Sequence, residues 1–284
     1  MARRVTKQFR QDSETENLPA VLTPEEEQLI KLSEKNTKFE RNEVIIPRLK
    51  ILQPLNPEVQ EGENQYIQGA KAGMFYNTSS GKLTPGQDGM IFAVVGHTRQ
   101  TLEWVPRDAG GGLVKIWGMD EGWKQLCDPM ERDKFVPITR EGHTIDKQRS
   151  FLIFDVNITT GEYDPSFFNL KGTGNKVASF LSTMLSQTRT KMGNGQIITP
   201  PYYYYLYKMT LDRMTNSKGT WWSPRIVKFT DKQGFHVKTQ SLPNGDEIFQ
   251  QAITLQEHLL EGGVTQADYD NDAVDDLSGD KVTF

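Results

Sequence analysis

Between Glu43 and Asn169, apolar residues either alternate with polar ones or run in short unbroken blocks, and both patterns predict β-strand. In Ile45 to Leu52 the apolar Ile45, Leu49 and Ile51 alternate with Arg48 and Lys50, which share the opposite face. Met90 to Val95, Leu113 to Trp117 and Arg149 to Ile158 read as buried strands. The last carries Leu152, Phe154, Val156 and Ile158 on one face. Gly81, Pro85, Gly110 to Gly112 and Gly161 punctuate these runs. The triple glycine follows Trp104-Val105-Pro106-Arg107 and predicts a flexible loop beside a basic, aromatic surface.

The period then changes. In Lys176 to Lys191, the residues Val177, Phe180, Leu181, Met184 and Leu185 fall at helical spacing and predict one buried stripe. Lys176, Ser179, Ser186 and Arg189 take the other side, and Gly193 ends the helix. Two strands follow, Tyr202 to Leu211 and Thr220 to Phe229, joined by Asn216-Ser217-Lys218-Gly219 as a hairpin. A second helix over about 246–260 should bury Ile248, Phe249, Ala252, Ile253, Leu259 and Leu260, with Gly262 as its stop. Near the start, Thr23 caps a short helix that has Pro24 at its first position and Glu26 completing a capping box. Several strands before the first long helix predict a sheet that curls into a barrel. The fold class expected is α+β, mainly antiparallel β, with an OB-like barrel core and two amphipathic helices. Residues 1–42 are read as a disordered arm with a short helix, 43–262 as the binding domain, and 263–284 as a disordered acidic tail.

Composition narrows the classes. The chain has 284 residues, enough for a large core, and a mean hydropathy of -0.59. No run approaches the roughly 18 apolar residues of a membrane span, and the basic start MARRVTKQFR lacks the apolar block of a secretory signal. One cysteine, Cys127, allows no internal disulfide, and four scattered histidines make no zinc cluster. A reducing cytoplasm is the expected setting. The net charge of -4 hides a segregation: residues 268–284 carry -5, leaving the rest at +1. Across 171–240, eleven Lys or Arg are opposed only by Asp212 and Asp231, a net of +9.

That basic excess coincides with rings. Residues 200–232 hold five tyrosines, two tryptophans and six cationic side chains on one expected hairpin. Single-stranded nucleic acid offers flat base faces for stacking, at roughly 1–3 kcal/mol per base, and a phosphate per nucleotide for cations. Strand alternation assigns Tyr203, Tyr205, Tyr207, Met209 and Leu211 to the core. Tyr202, Tyr204, Leu206 and Lys208 fall on the other face, with Tyr202, Tyr204 and Lys208 wet. On the hairpin Arg213, Lys218, Trp221, Trp222, Arg225 and Lys228 complete the candidate contacts. Arg48, Lys50, Trp104, Arg107 and Lys176 are the candidates elsewhere.

The last residues, DYDNDAVDDLSGDKVTF, are acidic and end on an aromatic ring. Asp268, Asp270, Asp272, Asp275, Asp276 and Asp280 would steer towards a basic rim, with Phe284 and its carboxylate entering a partner's pocket. The tail could also occupy the chain's own basic groove, because tethering keeps its effective concentration high. A basic, aromatic, sheet-rich body with such a tail resembles the phage-encoded and bacterial single-stranded DNA-binding proteins. The specific overlap is the last seventeen residues; this body is larger and its aspartates are spaced rather than contiguous. The resemblance implies an OB-fold core, cooperative or dimeric binding of single strands, and a tail that recruits replication and recombination proteins. A strand-annealing recombination protein and a structural or protein-interaction protein are the alternatives.

Enzyme signatures do not assemble. Gly172-Thr173-Gly174-Asn175-Lys176 lacks the spacing of a phosphate loop, although the helix start with Lys176 could bind one phosphate. Asp155, Glu162 and Asp164 read as a strand residue and a solvated turn rather than converging metal ligands. His97, His143, His236 and His258 lack partners at ligand spacing. No catalysis and no cofactor are expected. If the tail competes for the groove, deleting residues 268–284 should tighten binding of a single-stranded oligonucleotide at low salt. Equal affinity of the truncated and whole chains rules the competition out.

Overall fold

A computed structural model describes residues 45–260, apart from 107, 108, 119, 120, 135 and 218, together with 265 and 266. The expected N-terminal arm and helix, the acidic tail, Gly262, Arg107 and Lys218 lie outside the described residues. The described residues belong to one unit, 41–284.

The longest strands, β5 (Met90–Trp104) and β7 (Thr144–Val156), pair antiparallel from Phe92↔Asp155 to Trp104↔Thr144. Their central blocks, Ala93 to Val95 and Phe151 to Phe154, are buried at every position because both sheet faces are covered there. Around them stand β1 (Ile45–Ile46), β2 (Arg48–Ile51), β3 (Met74–Asn77), β4 (Leu83–Pro85), β6 (Leu113–Gly118) and β8 (Tyr163–Leu170). After helix α1 (Gly174–Gln187) come the short β9 (Thr190–Lys191) and β10 (Ile197–Ile198), then β11 (Leu206–Asn216) and β12 (Gly219–Lys228). Helix α2 (Gly245–Leu260) and β13 (Thr265–Gln266), parallel to β1, complete the chain order. The main sheet runs β12-β11-β5-β7-β8-β2-β3-β4, with β6 added to the second half of β5. All its pairings are antiparallel except β2 with β8. The class and OB-like architecture expected from the sequence are the ones found.

The sheet curls until its two ends touch. The Gln53 side chain, just past β2, pairs with the backbone of Trp222 on the outer strand β12. Its Nε2 donates to the Trp222 carbonyl at 2.9 Å, and its Oε1 accepts from the Trp222 amide at 2.8 Å. One side-chain amide thus stands in for a ladder neighbour and satisfies edge groups that would otherwise need water. A second link joins the Leu211 amide of β11 to the Gly86 carbonyl after β4, at 2.9 Å. The Trp222 ring lies against Gly73, whose φ of +87° and lack of a side chain both suit the seam.

Two cores follow from this curl. Inside, Phe75, Phe92, Phe151, Phe168, Tyr207 and Met209 pack on Ala178, Leu181 and Leu185 of α1. Outside, Ala93, Val95, Leu152, Phe154 and Leu206 pack on Ile248 and Ala252 of α2. A β-bulge between Val94 and Gly96 shapes the second contact. There Gln256 Nε2 of α2 donates to the Val95 carbonyl at 3.1 Å, and Leu259 lies where a Gly96 side chain would be.

Several expected details differ. The strand expected from Tyr202 starts only at Leu206, because Tyr202–Tyr204 form a 3-10 turn after Pro200 and Pro201. From Leu206 onward the alternation holds, with Tyr207, Met209 and Leu211 inward and Leu206 on the opposite face under α2. Before it the turn breaks the pattern, and Tyr203, expected on the face of Tyr207, packs in the outer core. Phe180, expected in the α1 stripe, is 58% exposed, since Ala178, Leu181 and Leu185 make the contact. Leu260 is likewise exposed at the end of α2. β6, expected to be buried, pairs with β5 alone and leaves Val114 and Ile116 exposed. Ile158 lies beyond the end of β7 and is exposed.

The seam makes a stability prediction. Gly73→Ala places a Cβ about 2.5 Å from the Trp222 ring at a left-handed backbone position. It should lower the unfolding free energy by roughly 2–4 kcal/mol, combining backbone and overpacking costs, as read by urea denaturation.

Candidate nucleic-acid interface

The β11–β12 hairpin is held by the β5 ladder at its base and by the Gln53–Trp222 seam further out. β11 pairs with β5 from Leu206↔Ala93 to Met209↔Met90, whereas β11 and β12 stay paired out to Asn216↔Gly219. Residues 212–217 are therefore exposed on a two-stranded arm. Asn216 and Gly219 form the last pair, so the strands reverse where the Asn-Ser-Lys-Gly signal predicted a hairpin.

Register sorts the hairpin side chains. Tyr207, Met209 and Leu211 point into the inner core, so Arg213 and Thr215 continue that face, opposite Trp222 and Thr220. The Thr215 and Thr220 hydroxyls, 3.1 Å apart, agree with this pairing. Lys208, Thr210, Asp212 and Met214 take the other face, opposite Val227, Arg225, Ser223 and Trp221. The two tryptophans, adjacent in sequence, thus point to opposite sides. Trp222 closes the barrel, while Trp221 stands with Met214 near the exposed end. Arg213 and Arg225 are exposed and Lys208 is half-buried. Among the described residues none of the three has a carboxylate partner.

The remaining candidates disperse. Lys50 forms an ion pair with the buried Glu58 at 3.0 Å, so its charge is engaged within the fold. Arg48 neighbours it on the strand and is half-buried. Trp104 is buried at the end of β5, with the Lys171 ammonium 5.9 Å from its ring. Lys176 is exposed on α1. The start of that helix offers little to a phosphate: the amides of Gly174, Asn175 and Lys176 already bond the carbonyls of Lys171, Gly172 and Thr173. Lys228 is exposed opposite Tyr207.

Tyr202 and Tyr204, expected on a wet strand face, sit half-buried in the 3-10 turn. Tyr202 packs at the inner core with its ring 5.7 Å from His97, and Tyr204 packs edge-on against Tyr205 and Phe249. The expected single groove of rings and cations is therefore divided between two faces of one hairpin.

Three cations escaped the sequence reading. Arg99 of β5 stands directly opposite Arg149 of β7, and Thr101 opposite Lys147, on the face that carries α1. Alternation along β7 from Ile153 and Phe151 would have reached Arg149 and Lys147. Arg99 reaches the same face only because the bulge shifts β5 by one residue.

Taken together, these features define a mixed α+β protein on an OB-like curled sheet with a projecting basic, aromatic hairpin. A family model described as Pam3 phage gp34-like protein matches residues 14–265, and the chain belongs to that family. No curated protein and no solved structure matches it. Among the described residues no helix is long and apolar enough to cross a membrane, and no group of three or more His, Cys, Asp or Glu could hold a metal ion.

Two histidines give the region a pH signature. His236 stacks on Tyr205 at 4.1 Å, and its Nε2 donates to the Leu206 carbonyl at 2.7 Å. Burial holds its pKa below the ordinary imidazole value, and Lys228 adds to the effect. Burial, then Arg99 and Arg149, do the same for His97. Both bind a proton more readily unfolded than folded. Their contribution to stability is therefore intact above about pH 6.5 and declines as the pH falls through that value. Urea midpoints should drop over that window, and His236→Gln should make the decline shallower.

Proposed function

We propose that this phage-family protein binds single-stranded DNA with low sequence specificity, in replication and recombination, as a binding protein rather than a catalyst. The observation that carries the reading is the hairpin arm beyond Met209. On its outer face Trp221 pairs with Met214, and Arg225 follows on the same face past Asp212 and Ser223. Neither Arg225 nor Lys208, nearer the base of the hairpin, has a carboxylate ion-pair partner among the described residues. A ring with cations further along the same strand face suits a strand whose bases can stack while its phosphates meet positive charge. The net of +9 over residues 171–240 attracts such a strand before contact. Arg213 on the inner face gives the backbone a second approach to the same arm. On this reading the acidic tail serves replication and recombination partners, and the protein works in the host cytoplasm.

The two tryptophans separate binding from stability. Trp221→Ala should weaken an oligothymidylate complex by roughly 1–3 kcal/mol, the worth of one stacked base, with an unchanged urea midpoint. Trp222→Ala should lower the midpoint, because it opens the seam at Gly73 and Gln53. Titration of the whole chain followed by tryptophan fluorescence is the readout: quenching by single strands, weak with duplex and lost at high salt. A flat titration removes the reading and leaves a protein-binding role for the hairpin. Faster annealing of complementary strands moves the function to strand pairing.

A further inference from the structure

The projecting hairpin is one cationic feature; a second lies on the β5–β7 ladder under α1. Arg99 and Arg149 are direct cross-strand partners, so their Cβ atoms lie about 5 Å apart on one face. Like charges in that position destabilise a ladder. Opposite-charge pairing, the usual relief, is missing: among the described residues neither guanidinium has a carboxylate partner. Two residues along, Lys147 faces Thr101 on the same side.

The neighbours hold this arrangement in place. His97 and Phe151, the next pair inward, stack at 5.7 Å and join the ladder to the inner core. On the other side of β7, Leu170 pairs with Arg149 and touches Gly174 of α1. Asn175 Nδ2 donates to the Lys147 carbonyl at 2.8 Å, fixing the strand beside the helix. The ladder is thus clamped, and the arginine stems emerge from rigid backbone. Partial burial and the charge of Arg99 both weaken the hold of Arg149 on its proton, as expected of a cation lacking an anion.

We propose that Arg99, Arg149 and Lys147 form a seat for a phosphoryl group, which two guanidinium forks and an ammonium can hold through its several oxygens. Paired arginine forks match phosphate oxygens in geometry as well as charge, and binding converts the repulsion between them into attraction to a shared anion. On the reading proposed above, which this assignment of source depends on, the phosphoryl group belongs to the DNA backbone. The seat itself stands on the ladder geometry alone. A free phosphate compound would present the same oxygens, so both sources enter the test.

The experiment uses the full chain, the variants R99Q, R149Q and R99Q/R149Q, and two probes, labelled oligothymidylate and inorganic pyrophosphate. Without ligand, R99Q should hold or raise Tm, since it removes like-charge repulsion; this also checks folding. The double variant should bind oligothymidylate at least about tenfold more weakly. Its log–log salt slope should be shallower by about 0.7 for each phosphate that the variant no longer neutralises. Pyrophosphate should raise the Tm of the wild-type chain and not that of the double variant. If pyrophosphate discriminates the two chains while oligothymidylate binds neither, the seat stands with a free phosphate ligand and the DNA reading falls. If oligothymidylate and pyrophosphate act equally on both chains, the seat is overturned while the DNA reading survives.

Discussion

The closure of the curled sheet by Gln53 and Trp222 constrains most of what the rest of the molecule can do. An open antiparallel sheet would leave the β12 edge unpaired and one face of Phe75, Phe92 and Phe168 wet. By bonding both the amide and the carbonyl of Trp222, the Gln53 side chain turns that edge inward, and the indole fills the space over Gly73. The join is local and side-chain based, so the barrel needs no continuous ladder between its ends. It also commits one of two adjacent tryptophans to the fold. Because strand neighbours face opposite ways, committing Trp222 to the seam turns Trp221 to the other face. The feature that stabilises the sheet thus also sets which ring a ligand can reach.

Coverage of both faces is the second constraint. The inner core needs α1 as a plug, and the outer core needs α2. The docking of α2 rests on the irregularity at Val95 and Gly96, where the bulge carbonyl takes a bond from Gln256 and the missing side chain admits Leu259. That same bulge shifts the alternation of β5, so Arg99 emerges on the side of α1. A packing device in one core therefore determines the electrostatics near the other.

What was legible in the sequence follows the range of the forces involved. The α+β class, the central strands, both helices and the hairpin loop could be read because period and turn chemistry are local signals, and Val94, Phe154 and Leu181 obey them. The side chains near Tyr202 could not be sorted by alternation, because two prolines impose a turn where aromatic content suggests a strand. Nor could the division of Trp221 from Trp222 be assigned to seam and surface, since that depends on Gln53, far away in sequence. Lys50 read as a surface cation, but its partner Glu58 is buried by the fold. Charge excess was visible as a total, whereas its partition among faces belongs to register.

Two departures from ordinary packing carry the functional reading. Most of the sheet satisfies itself: Asn77 bonds Ser166, Lys82 pairs with Asp155, and the apolar blocks are enclosed. Two places do not. The end of the hairpin runs past the Trp222 seam and bears Trp221, while Arg213 and Arg225 lack a carboxylate ion-pair partner among the described residues. The Arg99–Arg149 pair sets like charges side by side on the β5–β7 ladder, the longest among the described strands. A sheet selected for stability alone would shorten the first and substitute a carboxylate into the second. On the proposed reading, the hairpin would offer stacking to planar bases and the ladder would offer charge to the strand's phosphates. Rigid placement matters for the second, since a guanidinium held in position loses little conformational entropy on meeting a phosphate, whereas a mobile lysine loses more.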